Sequence, residues 1–240
     1  MKDNSWIIVE QPRLGAAGLT ALLIFANILI PFSLDIYPPA VPEMPAHFDT
    51  SEAMVNLTLL GFYLFFAVGL LLFGPISDKY GRKPVLVGGV LAYIAGSVLC
   101  ACALSIYVLI MARVIQALGA GAVNAVSLAL VKDCFVAQRR GALLAIIQVM
   151  AVIGPVIAPL LGGVILQFAS WRAIFWVLAA LGGLCMVASL LLTEGLAPAD
   201  RLVTGALRSL GGLFRIARQR KFMLIAIAVS LFNVPFMAYV

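Results

Sequence analysis

The stretch GPISDKYGRKP, residues 74–84, places Asp78, Lys79, Arg82 and Lys83 between two long apolar runs. Each run has about the 20 residues that a helix needs to cross the ~30 Å hydrocarbon core of a bilayer. A charged turn between two such runs is typical of a loop at a membrane surface. The runs are continuous and do not alternate, so we expect helices and not strands to span the bilayer.

The composition of the whole chain agrees with a membrane protein. Its 240 residues have a mean hydropathy of +1.13 and only 11% charged residues, whereas soluble domains carry about 25%. The net charge of +6 is placed in short clusters between apolar runs, which is unlike a nucleic-acid-binding surface. Cys100, Cys102, Cys134 and Cys185 match no metal or redox spacing. The sequence has no phosphate loop, zinc site or nucleophile triad, so we expect neither an enzyme nor a cofactor or metal.

Apolar runs of sufficient length divide the chain into helices. Six spans are predicted at residues 15–37, 54–73, 85–104, 106–131, 141–166 and 173–193. A seventh begins at Phe222 and reaches Val240. The predicted organisation is a six-helix bundle over 1–193, a cytoplasmic linker over 194–221 and the start of a seventh helix over 222–240.

The distribution of Lys and Arg predicts the orientation. Nearly all of the 16 basic residues lie before the first span, in the second–third loop, in the fourth–fifth loop or in the linker. The first–second loop has acidic residues and no Lys or Arg. Because basic loops remain in the cytoplasm, the N-terminus is predicted to be cytoplasmic.

Two charged residues fall within the predicted spans, Asp35 and Arg113. A charge at the centre of a membrane helix costs about 2.5–3.5 kcal/mol on insertion scales, so each is a candidate functional residue. Asp35 ends its apolar run, so the alternative to a functional role is that its carboxylate simply lies among the outer headgroups. Arg113 would alternatively extend its long side chain towards the membrane surface.

Polar and small residues follow single faces of two spans. In the first span Asn27, Pro31 and Asp35 share a face. In the fourth span the corresponding stripe consists of Arg113, Gln116, Ala120, Asn124 and Ser127. Such faces are unfavourable against lipid. They predict a shared aqueous cavity lined by Asn27, Gln116, Asn124 and Ser127.

The fifth span contains GPVIAPLLGG, residues 154–163. Prolines weaken the regular hydrogen bonding of a helix, and glycines let another backbone approach closely. The run predicts a bendable packing face made by Gly154, Pro155, Pro159, Gly162 and Gly163.

The charged turn also resembles the signature of the major facilitator superfamily, a Gly followed by Asp and then a Gly-Arg-Arg/Lys run. The matching residues, with the acid expected at the base of helix 4, are Gly74, Asp78, Lys79, Gly81, Arg82, Lys83 and Asp133. The resemblance implies a cytoplasmic latch in which Arg82 pairs with Asp133. We expect such an exposed pair to contribute at most about 1 kcal/mol to folding. In the turn itself, Gly74-Pro75 is expected to end one helix and Lys83-Pro84 to start the next.

Three further motifs narrow the resemblance. RVIQALGAG, residues 113–121, is similar to the helix-4 motif of proton-driven members, and the 154–163 run to the helix-5 motif of drug antiporters. LDIYPPAVPEM, residues 34–44, resembles the end of helix 1 in Bcr/CflA-type efflux transporters. The resemblance implies an all-α transmembrane bundle of two three-helix repeats in a bacterial inner membrane.

The same resemblance implies a function: proton-coupled export of small, largely apolar drugs by alternating access. Asp35 would carry the proton and Arg113 would tune it. Members have twelve helices, so a second six-helix half is the implied partner. The alternatives are a non-transporting fragment or membrane scaffold, and a seven-helix receptor, which the charged signature opposes.

Overall fold

The computed structural model describes residues 6–196 and 223–224. The chain forms two compact units, Met1–Arg201 and Leu202–Val240. The first contains α1 (Gly15–Asp35), a 3-10 helix (Pro38–Glu43), α2 (Met44–Phe48), α3 (Glu52–Tyr80), α4 (Arg82–Ala101), α5 (Ile106–Cys134), α6 (Ala137–Phe168) and α7 (Arg172–Leu191). In the second unit, the two described residues, Met223 and Leu224, are helical.

Six helices in the described part of the chain are long and apolar enough to cross a membrane. They are α1 (taken together with the short helices that follow it), α3, α4, α5, α6 and α7. The prediction of an all-α fold with six spans in residues 15–193 is therefore confirmed. The predicted seventh helix and nearly all of the predicted linker lie outside the described residues.

Local chemistry explains where the helices begin and end. The hydroxyl of Ser51 accepts a hydrogen bond from the Met54 N–H, and that of Ser105 accepts one from the Val108 N–H. These are N-caps, which satisfy N–H groups that the first helical turn leaves without partners. Between α3 and α4 the connection is Gly81 alone, with φ 103°. Only glycine adopts such a backbone conformation at low cost.

The expected end of the second span at Gly74-Pro75 is wrong. The helix α3 continues through Pro75 to Tyr80. Pro75 cannot donate a hydrogen bond to the preceding turn, yet the chain is helical on both sides of it. Apolar length measures only the part of a helix inside the hydrocarbon, so it underestimates a helix that continues into water.

Among the six long helices, α5 is the most buried. In its most apolar stretch 61% of residues are buried, compared with 17% in α3 and 22% in α6. Close packing at glycines places α5 between α3 and α4. A Cβ on Gly121 would lie 2.6 Å from the Phe66 carbonyl oxygen on α3, and one on Gly119 2.6 Å from the Gly89 carbonyl oxygen on α4. The polar residues of α5 therefore lie at the centre of the bundle.

Candidate functional site

Arg113 lies at the centre of the site and has no exposed surface. Its Nη1 donates to the Ser33 carbonyl oxygen at 3.0 Å and to Gln116 Oε1 at 2.9 Å. Ser33 is in the last turn of α1, where helix carbonyls lack partners within the helix and carry the negative end of the helix dipole. The guanidinium thus binds the C-terminal end of α1. Because the side chain is fully buried, the alternative that it extends to the membrane surface is wrong.

Three aromatic rings surround the Arg113 guanidinium. Its carbon lies 4.2 Å from the ring centre of Phe62, 4.8 Å from that of Tyr37 and 5.9 Å from that of Phe175. Cation–π contacts of this kind contribute about 0.5–2 kcal/mol, and more when water is excluded. Within residues 6–196 and 223–224 no carboxylate pairs with Arg113, and its Nε and Nη2 have no hydrogen-bond partner. The site therefore holds a buried cation with two nitrogen atoms that have no hydrogen-bond partner among the described residues.

A ring of hydrogen bonds connects this cation to α1 and α4. Gln116 Nε2 donates to the Ser97 hydroxyl at 2.8 Å, and that hydroxyl donates to the Tyr93 carbonyl oxygen. The Tyr93 hydroxyl lies 2.7 Å from the Ser33 hydroxyl, which returns the ring to the residue that binds Arg113. Sequence reasoning missed Ser33, Tyr93 and Ser97. The available signal was the helical spacing of Tyr93 and Ser97 inside an otherwise apolar span.

Asp35 is the last residue of α1 and is half-buried. It follows shortly after Ser33, whose carbonyl Arg113 binds. Among the described residues its carboxylate makes no hydrogen bond and no ion pair. The structure therefore brings Asp35 and Arg113 to the same end of α1 without direct contact between them.

The predicted cavity-lining residues differ in their surroundings. Asn124 Nδ2 donates to Asn27 Oδ1 at 3.1 Å, which joins α5 to α1. Asn27, Gln116 and Ser127 are buried among helices, and Asn124 alone of the four is half-buried. Three of these side chains thus contact other helices of this bundle, and their lining of a cavity stays a prediction. Their hydrogen bonds within the protein explain why they face inward.

The glycine and proline run of α6 packs against the end of α1. A Cβ on Gly154 would lie 2.5 Å from Pro31 Cβ, and one on Gly162 would overlap the Ile36 carbonyl oxygen. Pro155 is buried and Pro159 is half-buried, whereas a Cβ on Gly163 would meet nothing within 4 Å. Gly154 and Gly162 therefore let α6 approach the segment that carries Asp35, and Gly163 is not part of this contact.

At the α3–α4 turn, Arg82 and Asp133 lie together as the sequence predicts. Arg82 Nε is 2.7 Å from Asp133 Oδ2, and Arg82 Nη1 is 2.5 Å from Asp78 Oδ1 and 2.6 Å from the Ser77 hydroxyl. Arg82 is only 6% exposed, whereas the side chains of Asp133 and Asp78 are 22% and 36% exposed, so the pair is partly buried and not fully exposed as expected. Because Arg82 contacts two carboxylates, removing either one leaves its charge with the other.

Glu194 completes this cluster, and sequence reasoning missed it. Its carboxylate accepts hydrogen bonds from the backbone N–H groups of Arg82, at 2.7 Å, and Lys83, at 3.2 Å. A carboxylate at the first N–H groups of a helix is favoured by the helix dipole. Lys83 Nζ in turn donates to the Leu190 carbonyl oxygen at the end of α7. The signal was an acid directly after an apolar span, but nothing in the sequence indicated its partner.

The remaining latch residues make fewer contacts. Lys79 Nζ lies 5.0 Å from the centre of the Tyr80 ring, and a Cβ on Gly74 would meet nothing within 4 Å.

In the described part of the chain, no group of three or more His, Cys, Asp or Glu side chains is arranged to hold a metal ion.

Two bacterial drug-resistance proteins are similar in sequence to this chain. The chain is 36% identical over 189 residues to a chloramphenicol resistance protein of Pseudomonas aeruginosa, covering 78% of this chain and 43% of that protein. It is 31% identical over 177 residues to the multidrug resistance protein MdtL of Escherichia coli, covering 73% of this chain and 45% of that protein. The chain spans about half the length of the curated relatives it matches.

The fold and the family profile agree with these relatives. The proton:xylose symporter XylE superposes with a TM-score of 0.68 at 15% identity, over 88% of this chain and 51% of that one. At this identity the likeness concerns the fold alone. The profile of the Major Facilitator Superfamily matches residues 23–240. The chain is a multi-pass membrane protein and belongs to the Major Facilitator Superfamily.

Proposed function

We propose that this chain is the N-terminal half of a proton-coupled antiporter that exports small, largely apolar drugs through a bacterial inner membrane. The observation that carries the proposal is the buried Arg113, which has no carboxylate partner among the described residues and binds the end of α1 next to Asp35. A charged residue inside a membrane is costly, so it is a candidate functional residue by default.

We infer proton coupling from the arrangement of Asp35 and Arg113. The attraction between the carboxylate and the guanidinium exists only while Asp35 is ionised. Proton binding therefore removes a force between α1 and α5. If the distance or hydration of the two groups differs between the two access states, each state has its own proton affinity, and by linkage the proton shifts the balance of states.

Drug binding is proposed for the region around Asn27 and Asn124. Their amides join the two polar stripes of α1 and α5, and Asn124 keeps part of its surface exposed. Sites for small molecules are mostly apolar with a few polar groups that fix orientation. The name of the Pseudomonas aeruginosa relative makes chloramphenicol, a small neutral drug, a suitable probe.

A second six-helix half is the proposed partner of this bundle. The helices α3 and α6 are the least buried of the long helices and expose many apolar side chains. The proposed topology places the N-terminus, the latch residues and the linker over 194–221 in the cytoplasm. The linker and the start of a seventh helix over 222–240 would lead to the second half. Alternating access would move one half against the other around a site near the bilayer midplane.

The competing proposal is a fragment or scaffold that does not transport. Reconstitution into liposomes distinguishes the antiporter from the non-transporting fragment. The 240-residue chain and the protein that contains both halves are assayed side by side. We expect an imposed proton gradient to drive chloramphenicol accumulation by the protein that contains both halves, and a protonophore to abolish it. Absence of gradient-driven accumulation in both preparations would contradict the antiporter proposal.

A further inference from the structure

The segment Trp6–Gln11, which we call the N-terminal strap, crosses the cytoplasmic ends of two other elements. At its first contact it pairs with the α5–α6 connection. The Ile8 N–H donates to the Cys134 carbonyl oxygen at 2.7 Å, and the Val136 N–H donates to the Trp6 carbonyl oxygen at 3.2 Å. The Arg139 guanidinium carbon also lies 4.2 Å from the Trp6 ring centre. The strap is therefore attached to the residue that directly follows Asp133.

The second contact of the strap is made by Gln11 at the end of α7. Gln11 Nε2 donates to the Thr193 carbonyl oxygen at 3.2 Å, and the Thr193 N–H donates to Gln11 Oε1 at 2.8 Å. One side-chain amide thus satisfies both backbone groups of Thr193. Gln11 is only 2% exposed, so water is not available to replace these bonds if they are lost. The next residue after Thr193 is Glu194.

Both strap contacts therefore lie next to an acid that binds Arg82. Asp133 binds its side chain, and Glu194 binds its backbone N–H. The backbone after Glu194 is closely packed against α5. A Cβ added to Gly195 would lie 2.7 Å from Leu130 Cδ2 and 3.0 Å from Cys134 Sγ. We expect a shift of the Thr193 backbone to move the Glu194 carboxylate, because the two residues are adjacent and the residue after them has little free space.

We propose that Gln11 is a positioning residue for the latch. By holding Thr193 it places the Glu194 carboxylate on the first N–H groups of α4, and so keeps Arg82 oriented between Asp78 and Asp133. The inference rests on the proposed transport function, with the further proposal that the latch biases the balance of access states. It adds to the latch a cytoplasmic segment that the signature in the α3–α4 turn does not contain.

The test compares Gln11→Met with a matched control in the protein that carries this chain. Met preserves the size of the Gln11 side chain and removes both hydrogen bonds. Glu10→Met places the same residue at the neighbouring exposed position, where no hydrogen bond is lost. Hydrogen–deuterium exchange of the amides of Arg82 and Lys83 gives a readout that does not require transport, because exchange reports local opening of these N–H bonds.

We expect Gln11→Met to speed exchange at Arg82 and Lys83 and to shift the balance of access states by about fivefold, the lower end of typical coupling between sites. Turnover per molecule should fall in parallel, and Glu10→Met should match the wild type in both readouts. In the double variant with Glu194→Gln, adding Gln11→Met should have no further effect, because both changes act through one carboxylate.

Faster exchange confined to the strap itself, with Arg82 and Lys83 unchanged, would overturn the inference. So would additive effects of Gln11→Met and Glu194→Gln on turnover, or turnover equal to the wild type. If the wild-type protein shows no gradient-driven transport, the proposed function fails, and the exchange measurement still decides whether Gln11 positions Glu194.

Discussion

The close contact of α6 with the end of α1 can be tested by substituting two adjacent glycines, only one of which lies in the contact. Gly162→Ala adds a methyl group that overlaps the Ile36 carbonyl oxygen, 3.1 Å from the Ile36 carbonyl carbon and 3.4 Å from Pro39 Cγ. Gly163→Ala makes the same chemical change one position later, where the methyl group meets nothing within 4 Å. The pair of variants therefore separates the contact from the substitution.

The magnitude follows from what each methyl group meets. Replacing Gly by Ala within a helix stabilises it by about 0.8–1 kcal/mol, and this gain is common to both variants. Their difference isolates the overpacking, which typically costs about 1–3 kcal/mol. The atom in the way belongs to the backbone and not to a flexible side chain, so we expect the upper part of that range. Because Ile36 directly follows Asp35, Gly162→Ala should also reduce transport.

The assay uses the protein's own thiols. Cys100, Cys134 and Cys185 are buried, so a thiol-reactive dye reports their exposure during thermal unfolding. Gly162→Ala should melt several degrees below Gly163→Ala, and Gly163→Ala should melt at or above the wild-type temperature. Equal melting temperatures for the two variants would refute the close approach of α6 to the end of α1.

Three further predictions concern the topology, the latch and the buried cation. The exposed Cys102 at the end of α4 should react in intact cells with a membrane-impermeant thiol reagent, and Cys102→Ser should not, since the proposed topology places this turn outside; labelling only after cell lysis would reverse the orientation. Arg82→Lys should lower stability by about 1–3 kcal/mol in thermal unfolding, because Lys lacks the planar fork that reaches Asp78 and Asp133 together, and wild-type stability would contradict this. Arg113→Lys should abolish gradient-driven chloramphenicol transport while the protein still inserts, because the charge remains but the guanidinium contacts with the end of α1 and the rings are lost; transport at the wild-type rate would show that charge alone suffices.

The parts of the fold that depend on short-range chemistry were predictable from the sequence. Six spans follow from apolar length, and the pairing of Arg82 with Asp133 was expected from a family signature and from opposite charges in neighbouring loops that are predicted to be cytoplasmic. The end of α3 was not predictable in this way, because apolar length does not detect a helix that continues past Pro75 into water.

The contacts that position the site depend on long-range packing. Glu194 binds backbone N–H groups of α4, and Gln11 binds the backbone of Thr193, far away in the chain. A backbone group has the same chemistry at every residue, so no pattern of residue types indicates which one a side chain will meet. The burial of Gln116 was not predictable for a similar reason. A polar stripe indicates a helix face that is turned away from lipid, but it does not indicate whether water or another helix covers that face.

The central claim is that Asp35 carries the coupled proton, and drug-induced proton release measures it most directly. The purified two-half protein is mixed with chloramphenicol in weakly buffered solution, and the released protons are counted. The wild type should release protons, and Asp35→Asn should release none, since it preserves the shape and removes the titration. The control Asp49→Asn changes an exposed acid whose positive φ of 50° Asn tolerates, and it should behave as the wild type. Undiminished release from Asp35→Asn would contradict the account and place the proton carrier elsewhere.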